Sequence, residues 1–457
     1  MPRSAEDELA DLMFRVEPQD YLDRLSEWRR SAPDELVAEN AVDMGSVLPD
    51  WNLTNRARHG SKALSREALA EATSESLALL RQRGREDLVE AAQSELRALE
   101  TSNLARLTRM TLSGEANTHW GNDYAAHLRR AMRRGACLVT TNPVLVNIAR
   151  KENPDYWTPV RDRLREAHPN YSPAELAYAM TVQVVVANAR LLRPIWELTN
   201  GTIGYVSLQL SPKKAHDAEA MVSEARWVYA QLSEQLGGTP NTVFKLPATR
   251  AGLDACCAVT AEGMGVNITV NFSLPQHIAF AGAIEANSTA LVSFRTHMDG
   301  RLDDPVGEEL QAAGVPDWAE VKTWCSTAIR QREYRMLCHK PQEGGLGLTK
   351  AYPLPASGRG PWNILRSVNN GPVTVFITVF PDKQAEFDSQ PREISPRGMW
   401  TPLPEGTLEK LLKSKLFRMA YEPDGMSVEE FDTYLPVVRT LEQFGQGYDE
   451  FVAWVAG

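Results

Sequence analysis

Two periodicities divide the chain. Over roughly the first hundred residues apolar positions recur three and four apart, the spacing of one helix face. Examples are "SREALAEATSESLALLRQRG" and "REDLVEAAQSELRALETSNLARL", where Ser and Asp stand as starting caps. The stretch "DMGSVLPDWNLTNRARHGSK" interrupts this pattern and reads as a loop. From about residue 105 short apolar runs alternate with longer amphipathic ones. The strand candidates are "LTRMTLSGEAN", "ACLVTT", "IGYVSLQLS", "NTVFKLP", "GVNITVNFS", "STALVSFRTH" and "GPVTVFITVF". Helical stretches such as "HDAEAMVSEARWVYAQLSEQLG" and "LPQHIAFAGAIEAN" separate most of them.

Alternating strands and helices build a parallel sheet. With an eighth strand placed within 335–355, the pattern predicts a (β/α)8 TIM barrel carrying an N-terminal helical extension. Residues 1–104 form the extension, and 105–457 form the barrel with its C-terminal helices. A doubly wound sheet is the competing architecture, but no Gly-rich dinucleotide fingerprint follows any strand. Strand parity supports the barrel. Asn267, Thr269 and Asn271 share one face of their strand, as do Tyr205, Ser207 and Gln209 of another. Polar faces on otherwise apolar parallel strands belong inside a barrel and at its rim.

Composition narrows the partners. The chain is 43% hydrophobic and 24% charged, enough apolar content for a large core. A net charge of -10 argues against nucleic acid or an anionic membrane as partner. The five cysteines include the adjacent Cys256 and Cys257 and stand at no zinc-site spacing. The leading "MPRSAEDELADLMF" lacks a secretory apolar core, and no apolar run reaches the length of a membrane helix. A cytoplasmic protein needing neither metal nor cofactor is the expectation. Homo-oligomerisation is left open.

The chemistry centres on "NTVFKLPATRAGLDA". Lys245 stands between Val243, Phe244, Leu246 and Pro247, where an ammonium is costly unless paired or discharged. A structural ion pair is the ordinary explanation for such a lysine. The strand's alternation instead turns Lys245 away from Phe244 and Leu246, toward the polar centre.

Five ordered segments carry a resemblance: "TTNPVLV", "YVSLQLSP", "VFKLPATRAGLDA", "GVNITVNFSLPQHIAFAGA" and "MDGRLDD". They resemble the transaldolase family of Schiff-base aldolases. The C-terminal "FRMAYEPDGMSVEEFDTYLPVVRTLEQFGQGY" is similar to a longer bacterial branch of it. The resemblance implies an eight-stranded barrel with Lys245 as the fourth-strand nucleophile. It implies that Asn142 orients substrate hydroxyls, that Asn267 and Thr269 hold a hydroxyl and a catalytic water, and that Arg301 binds a substrate phosphate. Thr296 falls where the family usually has a serine.

Two family carboxylates are missing from their places. Gln209 replaces the third-strand acid, and an amide holds water but exchanges no proton with it. On the first strand "EANTHWGND" aligns with Asn117 or Thr118 at the base aspartate. Glu115, on the same strand face as Asn117, is one candidate substitute and His119 another. His277 and His297 read as packing residues near the rim. Arg295, His297 and Asp299 make that rim unusual, with Asp299 set to repel an anion. The Gly-rich "QEGGLGLTKAYPLPASGRGPW" reads as a lid or a surface loop.

The resulting expectation is a transaldolase-like enzyme in which Lys245 forms a Schiff base with a ketose or ketose phosphate. It would transfer a three-carbon ketol unit, in specialised sugar or natural-product metabolism. The alternatives are a class I aldolase without transfer and a non-catalytic sugar-phosphate-binding relative whose helical N-terminus mediates assembly.

Overall fold

The computed structural model describes all residues except 1–8, 10, 11, 15 and 59–63. Most of the leading "MPRSAEDELADLMF" and the end of the "DMGSVLPDWNLTNRARHGSK" stretch therefore lie outside the described residues.

Eight parallel strands form one sheet: β1 (Thr118–Asn122), β2 (Ala136–Thr140), β3 (Tyr205–Gln209), β4 (Thr242–Pro247), β5 (Val266–Thr269), β6 (Ser293–Met298), β7 (Ala351–Ala356) and β8 (Val375–Val379). Strands β1 to β7 pair in sequence order, and β1 also pairs with β8. β7 and β8 lie side by side without a ladder between them. Pro353 and Pro355 of β7 have no N–H to donate to one. The sheet is thus a barrel with one unlaced seam, enclosed by helices.

Strand β7 falls within the Gly-rich stretch, at the end of the segment expected to hide a strand. The first strand is the larger correction. "LTRMTLSGEAN" is mostly the helix Asn103–Ser113, which Ser102 caps by accepting a hydrogen bond from Ala105 N. Leu104, Leu107 and Met110 form its buried stripe at three-residue spacing, and Gly114 ends it at φ 83°. β1 starts only at Thr118. The sequence division at 104/105 lies inside this helix.

The N-terminal helices pack on the barrel itself. Tyr21, Leu25, Met44, Leu48, Trp51 and Leu69 belong to the same buried apolar cluster as barrel residues Leu138, Val206 and Phe244. Residues 48–58, read as loop from sequence, form a helix with Pro49 in its first turn, where a missing N–H costs nothing. Its Trp51 stacks on His119 of β1, with ring centroids 5.5 Å apart. His119 in turn lies 5.3 Å from Phe376. Phe294, Tyr205, Tyr352 and Phe376 complete an aromatic layer inside the barrel. This layer closes the amino-terminal end, so polar chemistry is confined to the carboxyl end.

Across that carboxyl end runs the last helix, Leu435–Ala456. It touches the segments after β2, β3 and β6: Asn147 Nδ2 donates to Gly447 O (2.5 Å), Lys213 pairs with Asp449 (2.6 Å) and Arg301 donates to Gln443. A Cβ at Gly447 would lie 2.9 Å from Val144, so glycine permits this close crossing.

Candidate active site

Lys245 is placed by β4, whose parity turns it into the barrel while Phe244 and Leu246 face the helices. In register across three strands, Gln209, Lys245 and Asn267 form one row. The amine is buried and Nζ donates to Thr141 O at 3.1 Å. Burial lowers its pKa, Asp123 opposes that shift, and Arg301 adds to it. Asp123 is the mirror image: burial raises its pKa, while Lys245 and a hydrogen bond from Thr140 Oγ1 (2.6 Å) oppose the rise. Burial pushes both groups toward their neutral forms. The amine can thus exist uncharged, beside a carboxyl able to take or give a proton.

Asp123 follows β1 directly at the barrel mouth. The Asn122 carboxamide donates to Tyr124 O (2.6 Å) and Ala126 O (3.1 Å), folding the next turn back so that the Asp123 side chain faces inward. Sequence reading passed over Asp123 because the alignment of "EANTHWGND" put the base position earlier on β1, at Asn117 or Thr118. The usable signal was an Asn-Asp pair closing a short strand.

The displaced candidates sit at the wrong end. Glu115 is exposed, just past the Gly114 cap and before β1. At about 3.3 Å per strand residue it lies roughly 20 Å from the mouth. Asn117 ties β1 to the approach of β8, donating to Gly371 O (2.9 Å) and accepting from Thr374 Oγ1 (2.8 Å). Thr118, the other residue aligned there, bonds Asn369 outside the mouth. His119 is held in the aromatic floor, its pKa lowered by burial to about 4. None of these reaches Lys245.

The remaining candidates cluster. Asn267 donates to Ser207 Oγ (2.9 Å) and accepts from Thr296 Oγ1 (2.6 Å), a buried chain across β3, β5 and β6. Thr269 ends β5, with its hydroxyl 3.6 Å from Met298 Sδ. Asn142 follows β2 and caps the helix Pro143–Glu152, accepting from Leu145 N at 3.1 Å. Beside Gln209 opens a cavity of about 30 Å³, lined also by Thr141, Asn142, Tyr178 and Tyr448. Gln209 Oε1 and Thr141 Oγ1 are buried there without protein partners, and the space suffices for a water.

Arg301 lies in the first turn of the helix Asp299–Ala312. Its guanidinium rests over Phe444 at 5.0 Å, and its pKa is lowered to about 10 by burial and by Arg359. Arg359 was overlooked because its stretch read as an undifferentiated loop. It follows β7 after Ser357, and Asp304 holds its guanidinium at 3.0 and 3.1 Å. Arg359 lies near enough to Arg301 to lower its pKa, and guanidiniums in such a pair are chemically suited to an anion.

Arg295, His297 and Asp299 are not rim residues. Thr296 faces inward, so Arg295 and His297 face outward beneath the helices, where Arg295 pairs with Glu333 and His297 meets His277 at 3.2 Å. Asp299 is buried against Arg330 (3.3 Å) and Asn363 (2.7 Å), so its charge is neutralised away from any bound anion. Among the described residues no group of three His, Cys, Asp or Glu side chains is placed to hold a metal, and no helix is long and apolar enough to cross a membrane.

A parallel eight-stranded barrel with a buried lysine in its polar mouth has the architecture of barrel enzymes, whose sites lie at the carboxyl end of the strands. The chain belongs to the transaldolase/fructose-6-phosphate aldolase family, whose model matches residues 123–380, from Asp123 to just beyond β8. It is 35% identical to transaldolase 2 of Nostoc sp. over 146 residues, which is 32% of this chain and 36% of that one. With transaldolase 1 of Streptomyces avermitilis it shares 32% identity over 206 residues, 43% of this chain and 52% of the relative. A transaldolase of Neisseria meningitidis serogroup C is 29% identical over 250 residues, 46% and 69% of the two chains. The chain spans about half the length of the curated relatives it matches.

Proposed function

We propose that the protein makes or breaks a ketose carbon–carbon bond through a Schiff base on Lys245, transferring a three-carbon ketol unit. The observation that carries this reading is the buried Lys245 amine facing the buried Asp123 carboxyl. The neutral amine adds to the ketose carbonyl, and the carbinolamine loses water to give a protonated imine. Asp123, as carboxylate, takes the proton from the substrate hydroxyl as the adjacent carbon–carbon bond breaks. The bonding electrons pass into the imine and leave an enamine on Lys245. That enamine attacks an aldehyde, or is protonated, and water releases the product.

Asn142, Asn267 and Thr296 are suited to orient the ketose hydroxyls, and Gln209 with Thr269 to hold a water. Arg301 and Arg359 fit a phosphate at the far end of the substrate. Gln209 favours a second reading, aldol addition without transfer, because an amide cannot pass the proton that an acid at this position would. A divergent acceptor or donor in specialised sugar metabolism suits this acid–base set.

The test is borohydride reduction with fructose 6-phosphate, fructose and a panel of ketoses, followed by intact mass and peptide mapping. A reduced adduct on Lys245, absent in Lys245→Ala, is expected. No adduct with any of them would reject the catalytic reading in favour of a binding protein. Adding an aldehyde acceptor then separates transfer, which yields a new ketose, from simple cleavage.

A further inference from the structure

The turn carrying Arg359 is secured by contacts that the reaction itself does not use. Ser357 has φ 57°, a left-handed conformation that a side chain resists. Its carbonyl accepts from Gly300 N at 3.0 Å, which fastens the turn after β7 to the turn after β6. A Cβ at Gly300 would come within 2.5 Å of Arg359 Nε, so a glycine is needed for the guanidinium to lie across that helix start.

One side chain joins these parts. The buried Asn363 accepts with Oδ1 from Arg359 N (2.8 Å) and Gly360 N (3.2 Å), and donates with Nδ2 to Asp299 Oδ2 (2.7 Å). Asp299 is itself paired with the buried Arg330 at 3.3 Å, and Arg330 donates to Ser367. Asp303, next to this pair, accepts from Ser326 N (3.0 Å) and Ser326 Oγ (2.6 Å). A carboxamide accepts both backbone N–H groups on its oxygen while its nitrogen, on the other side of the group, donates to the carboxylate.

We propose that Asn363, braced by Asp299, is the positioning residue of the anion site, fixing the Ser357–Gly360 turn so that Arg359 stands beside Arg301. This rests on the reading of Arg301 and Arg359 as the pair that binds the substrate's anionic group. Asn363 touches no substrate and acts only through the turn. Its removal therefore weakens recognition of the anion and spares the chemistry at Lys245.

The experiment compares half-saturation of borohydride trapping on Lys245 by fructose 6-phosphate and by fructose. In Asn363→Ala the half-saturating fructose 6-phosphate is expected to rise about tenfold, with fructose unchanged. Arg359→Gln should do the same. If Arg359→Gln shifts the phosphate-bearing ketose alone and Asn363→Ala shifts neither, or shifts both equally, the positioning role is wrong. Asn363→Asp sets two carboxylates face to face and should be as poor as alanine. Combining it with Asp299→Asn rebuilds the bond with donor and acceptor exchanged, and affinity for fructose 6-phosphate should return. This exchange also decides the matter if Asn363→Ala does not fold. A wild type that traps neither ketose rejects the lysine reading and leaves the anion site to a second probe, inorganic phosphate. Phosphate should then raise the wild-type melting temperature, and less so in Asn363→Ala and Arg359→Gln. No rise in the wild type would overturn the proposal.

Discussion

At Lys245 burial and the neighbouring carboxyl act in opposite directions on the amine. Burial favours the uncharged form, and Asp123 favours the charged one. Replacing Asp123 by Asn removes the opposing influence, so the amine's pKa falls further. The acidic limb of a kcat/KM profile should then move to lower pH, because the nucleophile stays neutral further into acid. The maximal rate should fall about 10²–10⁴-fold, the range for losing a positioned general base. A rate loss with the acidic limb unmoved would detach Asp123 from the amine. Borohydride trapping should survive the substitution, since imine formation does not need the group that assists bond cleavage.

The helix Leu48–Arg58 closes one end of the barrel through a single stack, Trp51 on His119. Trp51→Ala would leave a large apolar void there and should cost about 3–5 kcal/mol, read as a lower midpoint in denaturant unfolding. His119 adds a pH dependence. Its folded pKa, about 4, lies below the unfolded value of 6.5, so between these values the unfolded chain binds the extra proton. Stability should be full above pH 6.5 and decline toward pH 4, by at most about 1.4 kcal/mol per pH unit from this group. His119→Phe should flatten that part of the curve while keeping the stack. Elements with regular alternation, β2 through β6 and β8, were legible in the sequence because parallel strands between amphipathic helices have a distinct texture. The helix Asn103–Ser113 was not, since its Leu and Met stripe is interrupted by threonines that also suit a strand. That one misreading started β1 inside a helix. Lys245, Asn267, Thr269 and Arg301 were legible because each sits in a contiguous motif. Asp123 and Arg359 depend on where a strand ends and which way a turn folds, and only tertiary contacts fix those.

For the whole molecule, the N-terminal helices and the barrel share one apolar cluster, so neither surface is finished without the other. Deleting residues 1–101 should uncover Leu138-side core and the aromatic floor, giving an aggregating product in size-exclusion chromatography. A soluble, monomeric barrel that still reacts at Lys245 would instead mark the helices as a dispensable appendage. The unlaced side of β7 bears on the opposite end. This stave is laced by hydrogen bonds along one edge only and rests on β8 by side-chain packing, and the Arg359 guanidinium follows its tip. What keeps that tip in register is the stitching to the β6 side, through Gly300 and Asp299. If Arg301 and Arg359 hold a substrate's charged end as proposed, that grip is set by one neighbouring stave rather than by the whole hoop.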